Sequence, residues 1–127
     1  MKIIRESELV FTPASHENPD DPGCLKKVLA SKFDLQEGRI QMLNWSKLPA
    51  GKSFQAHYHE DMQEVFVMVS GQAEMTVSDI SYDLGRGDCL IVEPTEIHSM
   101  TNPTEVDAYY LVFGISNESG GQTVVVE

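Results

Sequence analysis

Residues 51 to 71 read GKSFQAHYHEDMQEVFVMVSG, and the spacing inside this run decides how the chain folds. Side chains alternate across a strand, so His57 and His59 project from one face and Tyr58 from the other. A strand offers two imidazoles to one ion in this way. After a short turn, Glu60 to Gln63, the chain can enter an antiparallel neighbour at Glu64 and return its carboxylate to the face of the two rings. Phe66 and Met68 then share that inward face, while Val65, Val67 and Val69 pack on the other. Downstream, beyond a Pro-containing turn, His98 opens another short strand. Three histidines and a carboxylate suit a divalent transition metal, because imidazole is a borderline ligand and the carboxylate offsets charge. The competing reading of the same residues is a polar hairpin turn with histidines that titrate at the surface.

At this point the sequence resembles the cupin family. The first cupin motif sets a glycine, a His-x-His pair, a glutamate and a closing glycine at fixed spacings, which Gly51, His57, His59, Glu64 and Gly71 match. The second motif is met in GDCLIVEPTEIHSMTN (87 to 102) by Gly87, His98 and Asn102. It departs where Glu93 replaces a proline, with Pro94 displaced by one, and where Thr95 replaces a glycine. The resemblance covers residues 38 to 115. It implies an all-β fold, the cupin double-stranded β-helix, which is a jelly-roll barrel of two antiparallel sheets with the ion near one end of the lumen. It also implies a metal site of His57, His59, Glu64 and His98, holding one divalent ion of Fe, Mn, Ni, Zn, Co or Cu. Small cupins commonly dimerise, and apolar residues on both parities of EVFVMV (64 to 69) leave a second face to cover, so a homodimer is expected.

The rest of the chain agrees with an all-β reading. Strand-like pieces recur about every ten residues between Gly, Pro, Asn and Asp. HENPDDPG (16 to 23) is an irregular acidic loop, and CLKKVLAS (24 to 31) leans to strand. EVFVMVSG (64 to 71) is expected to form a hairpin with QAEMTVSD (72 to 79), and CLIV (89 to 92) a buried strand. NESGGQ (117 to 122) reads as a linker and TVVVE (123 to 127) as an added edge strand. With 127 residues, one domain is expected, in which 1–37 pack on a barrel core of 38–115 and 116–127 form a tail.

Charge and composition narrow the partners. With 9 Lys+Arg against 20 Asp+Glu, the chain repels phosphate backbones and anionic headgroups, so neither nucleic acid nor membrane is an expected partner. Cys24 and Cys89 lie in unlike contexts and do not suggest a disulfide, which with the absence of a leader-like segment gives a cytoplasmic expectation. Cys89 reads as a small buried hydrophobe and His16 as a surface residue. Gln55 shares the parity of His57, and with Phe66, Met68 and Met100 is a candidate for a substrate pocket. Trp45, Met75, Tyr109 and Tyr110 are candidates for the barrel wall, and Glu74 and Glu93 are expected in solvent. No general base is visible beyond the ligands. The function expected is that of a divalent-metal-dependent enzyme on a small oxygen-bearing metabolite, dioxygenase-like or an isomerase or lyase on a sugar or carboxylate. The alternative is a non-catalytic cupin that binds or senses a small molecule.

Overall fold

The computed structural model describes residues 1–36, 39–116 and 122–126. After a single 3-10 turn at Glu6–Glu8 the described chain is built of strands: β1 (Thr12–Pro13), β2 (Leu25–Ser31), β3 (Ile40–Leu48), β4 (His57–His59), β5 (Met62–Ser70), β6 (Ala73–Val77), β7 (Ile80–Leu84), β8 (Cys89–Val92), β9 (His98–Thr101), β10 (Ala108–Ser116) and β11 (Thr123–Val125). They form two antiparallel sheets, six strands in the order β1-β2-β3-β10-β5-β8 and five in the order β11-β4-β9-β6-β7. CLKKVLAS is a strand as expected, and TVVVE contributes the edge strand β11. The expected NESGGQ linker lies outside the described residues except for Gln122.

Alternation supplies the core. In β10, Ala108, Tyr110, Val112, Gly114 and Ser116 are buried while the residues between them are half-buried on the outer face. Tyr110 and Val112 join Leu48, Phe54, Phe66, Met68, Met75, Val92 and Met100 in one apolar cluster between the sheets. Trp45 and Tyr109 belong to the opposite parity and pack on each other outside, with ring centroids 6.1 Å apart.

Three local expectations are corrected. QAEMTVSD does not pair with EVFVMVSG, since β6 bonds to β7 and β9 in the five-stranded sheet while β5 lies between β10 and β8 in the other. Gly71 makes the crossing: its φ is +80°, and a Cβ there would lie 2.8 Å from both Ala108 Cα and the Asp107 carbonyl oxygen. The same holds one turn earlier. Glu60 and Asp61 carry the chain from the five-stranded sheet to the six-stranded one, so β4 and β5 are not hairpin neighbours but face each other across the lumen. CLIV is only partly buried, because β8 is an edge strand bonded to β5 alone, which leaves Cys89 and Ile91 exposed. An edge strand lacks the second neighbour that would cover its outward side chains.

The departures in the second motif leave the turn intact. Glu96 N–H donates to the Glu93 carbonyl at 3.2 Å, with Pro94 second in the turn and Thr95 third at φ +70°. A left-handed third position is what the family's glycine supplies without strain, and here a β-branched residue adopts it. Its N–H is fixed to the His59 carbonyl at 2.7 Å, tying the turn to β4. Relief of left-handed strain outweighs the extra freedom of an unfolded glycine, so Thr95→Gly is expected to add about 1 kcal/mol and raise Tm by about 4 °C. Calorimetry of the two proteins side by side checks this, and a lower Tm for the variant would mean that the Thr95 side chain holds the turn. Asn102, fully buried, closes the motif as a pin: its Nδ2 donates to the carbonyls of Leu48 (3.0 Å) and Val106 (2.8 Å).

Candidate metal centre and its cavity

Both sheets build the centre. His57 and His98 are paired in register across β4 and β9, which sets their rings side by side with centroids 4.4 Å apart. His59 follows two residues along β4 on the same inward face, and both histidines of that strand are buried. Glu64 reaches in from β5 in the opposite sheet. One ligand atom from each of His57, His59, Glu64 and His98 lies within 4.8 Å of every other, and all four residues are buried. This group could hold a metal ion.

The hydrogen bonds around the rings determine which nitrogens face inward. His57 Nδ1 donates to the Gln55 carbonyl at 2.7 Å and His98 Nδ1 to the Glu96 carbonyl at 3.0 Å. A carbonyl only accepts, so both Nδ1 atoms carry the proton. His59 Nδ1 lies 3.1 Å from Thr123 Oγ1 on β11. With every Nδ1 held at the periphery, the Nε2 atoms of His59 and His98 lie 2.8 and 3.0 Å from the same oxygen, Glu64 Oε1. His59 Nε2, despite that short distance, is not oriented for a hydrogen bond and makes none. A buried orphan nitrogen beside a carboxylate, with the other ring nitrogens fixed from behind, matches the donor set and outer support that a divalent ion uses.

Electrostatics agree. Burial, with His16 and His98 close by, lowers the pKa of His57 to about 3, so its ring is neutral and its Nε2 is a bare lone pair. Burial alone would raise the Glu64 carboxyl, but the His59 and His98 rings outweigh it and hold the group ionised. His57 folds with its pKa below the ordinary 6.5, so its contribution is full above pH 6.5 and is lost as pH falls towards 3. For metal-free protein the loss at pH 5 is expected to reach about 2 kcal/mol. Urea titrations at pH 7 and 5 measure it, and a His57→Gln variant should show a flatter dependence; an equal slope in both would assign the effect elsewhere.

Residues 44–114 match the sequence profile of the cupin domain. The chain belongs to the cupin family. No curated protein matches it in sequence. Among solved structures, this cupin is similar to a predicted oxalate decarboxylase of Thermotoga maritima, with 23% identity and a TM-score of 0.81 over 91% of this chain and 100% of that one. It is also similar to a polyketide cyclase of Streptomyces resistomycificus (16%, TM-score 0.79, 100% and 87%) and to a sugar phosphate isomerase of Silicibacter pomeroyi (16%, TM-score 0.78, 99% and 82%). At such identities the likeness is one of fold. The three proteins are named for different reactions, so the fold does not select among them.

A cavity of about 450 Å³ in this cupin is lined by His57, His59 and Glu64 of the four, with Phe54, Phe66, Tyr110 and Val112 among its apolar walls. Of the pocket candidates, Phe66 lines it. Met68 and Met100 are 1% and 0% exposed and belong to the apolar core. The parity argument fails for Gln55, because β4 begins only at His57 and the Gln55 side chain is exposed; Phe54, 3% exposed, occupies the inward place instead.

His16, expected at the surface, is the residue that sequence reasoning missed. It lines the cavity and stacks on His57 at 4.0 Å between centroids and 21° between planes. Its Nδ1 lies 2.8 Å from Glu17 Oε2. The Glu17 carboxylate is itself buried and accepts the N–H groups of Gly23 (2.6 Å) and Gln55 (2.8 Å). A carboxylate fixed by two backbone donors sets the His16 tautomer with the proton on Nδ1, which leaves Nε2 as an acceptor. That Nε2 makes no hydrogen bond among the described residues. No spacing rule connects position 16 to position 57; the one cue in the sequence is His-Glu adjacent to two prolines in a loop too acidic to be buried without cause. Cys24 also faces the cavity, where burial first and the Glu17 charge second push its thiol up to about 12, so it stays protonated.

Proposed function

We propose that this cupin is a divalent-metal-dependent enzyme acting on a small oxygen-bearing metabolite, with His57, His59, Glu64 and His98 as the ligands. The observation that carries the reading is the convergence of these four buried ligand atoms, with His57, His59 and Glu64 lining a cavity that also holds an oriented histidine. A bound divalent ion would supply Lewis acidity to an oxygen of the metabolite, and iron would add dioxygen chemistry. The chain's own residues supply the rest. Phe54 and Phe66 wall the centre against water, and His16 presents an acceptor whose direction is set by Glu17. Fe, Mn, Ni, Zn, Co and Cu all suit the ligand set. Repletion with each ion, followed by turnover screening across oxygen-bearing metabolites, tests the proposal. Ligand-induced stabilisation without product would favour a binding or sensing module instead.

No helix among the described residues is long and apolar enough to cross a membrane. We propose a cytoplasmic protein on its two free cysteines and its charge balance. We also propose a homodimer, supported by the half-buried outward residues Val67 and Val69 of β5. Light scattering that returned a monomer at micromolar concentration would reject the dimer.

A further inference from the structure

Three rows of residues in register cross the six-stranded sheet beside the cavity. Strand register aligns Lys26 with Ser46 and Tyr110, then Val28 with Asn44, Val112 and Phe66, then Ser31 with Met42, Gly114 and Glu64. The last row carries the ligand carboxylate. The first carries a cation that no carboxylate pairs among the described residues, and the second an amide oxygen without a donor.

Lys26 lines the cavity and is half-buried. Its Nζ donates to Ser15 Oγ at 2.7 Å and meets no carboxylate among the described residues. In a chain of formal charge −11, Lys2, Lys27, Lys47 and Lys52 sit beside Asp34, Glu6, Asp107 and Asp21 respectively, and Lys32, which has no such partner among the described residues, is exposed to water. Glu64 is the only described carboxylate that lines the cavity. A partly desolvated ammonium without a counter-ion is costly, and an acidic chain that keeps its acids away from it leaves the charge for a ligand. Asn44, one row deeper and 6% exposed, has its Oδ1 buried with no hydrogen-bond partner. Nearly all buried polar atoms are satisfied, so this oxygen calls for a donor that the folded chain does not provide. His16 Nε2 is a second acceptor at the same cavity.

We propose that the cavity binds a small hydroxycarboxylate, its carboxylate at Lys26 and its hydroxyls donating to Asn44 Oδ1 and His16 Nε2, beside the His57, His59, Glu64 and His98 group. The placement names the substrate class for the enzyme proposed above and rests on that reading for the role of the metal group, but the Lys26 and Asn44 contacts stand without an ion. Lys32, the other lysine lining the cavity, is exposed over the Phe33 ring, so Lys26 is the one partly buried cation of the lining and matches one carboxylate charge, whereas a phosphate ester recruits several cations or a cluster of backbone N–H groups.

Calorimetric titration of the full chain, metal-replete and chelated, with D-gluconate, sorbitol, hexanoate and glucose 6-phosphate tests this. Sorbitol keeps the hydroxyls without the charge, and hexanoate the charge without the hydroxyls. Gluconate is expected to bind about tenfold tighter than either, the scale of one buried polar contact. Lys26→Met should abolish the preference over sorbitol, and Asn44→Leu the preference over hexanoate, with far-ultraviolet circular dichroism and metal content unchanged. Lys26→Arg should keep the charge preference. Equal binding of gluconate and hexanoate, tighter binding of glucose 6-phosphate, or variants that leave these ratios unchanged would overturn the assignment. Failure of the chain to take up metal would instead remove the metal reading, and the same ratios, read on chelated protein, would still decide this one.

Discussion

His57→Ala combined with His59→Ala is expected to leave purified protein with essentially no bound metal after repletion, where the parent takes up about one equivalent. The two rings are half of a four-ligand set, and the remaining His98 and Glu64 come from different sheets. Loss of a single outer-shell partner typically weakens a metal site by about 10- to 100-fold, so loss of two direct ligands must exceed about a hundredfold. Elemental analysis of protein made without an affinity resin gives the readout. The same ion stabilises the native state by mass action, about 2.7 kcal/mol when free metal is a hundred times Kd, so chelation of the parent should lower Tm by about 10 °C. The double variant should not respond to chelator at all. Metal that survives both substitutions would place the ion elsewhere, and the assignment would fall.

The second large effect is expected from Glu17→Ala, at about 3 to 5 kcal/mol of lost stability. The change leaves the N–H groups of Gly23 and Gln55 and the Nδ1–H of His16 without their acceptor, each costing about 1–3 kcal/mol where water cannot replace it. Gln55 is the residue whose carbonyl holds His57, so metal affinity should fall with stability, by about tenfold as for an outer-shell defect. Glu17→Gln keeps one acceptor oxygen and should recover part of both. Urea unfolding at constant m, paired with a metal titration, separates the two losses. A cost under about 1 kcal/mol would show that water satisfies the three donors in the variant.

The sequence disclosed the centre through local spacing and concealed what depends on long-range approach. His57 and His59 share a face because alternation is a property of one strand, and His98 is set by the second motif. The route of Glu64 was less legible. A short turn from Glu60 to Gln63 looks like a hairpin, but Glu60 and Asp61 change sheets and β5 already begins at Met62, so the carboxylate arrives from across the lumen rather than from beside the rings. Parity misplaced Gln55 because it presumes a strand that has not yet begun. Composition misread Cys89, since an apolar run says nothing of whether its strand lies at an edge. His16 was hidden for the plainest reason: its partners Glu17 and His57 are brought together by a loop, and loops obey no period.

The direct pairing of His57 with His98 across β4 and β9 makes strand register and chemistry one constraint. A slip of β9 by one residue would turn His98 outward and present Ser99 in its place, and the same slip in β4 would exchange two imidazoles for Tyr58 and its neighbours. A barrel closed out of register is therefore also one that cannot hold the ion. In a cell the metal would act as a proofreader of the fold, adding its binding energy to the correctly aligned barrel alone and leaving slipped forms to unfold or be degraded.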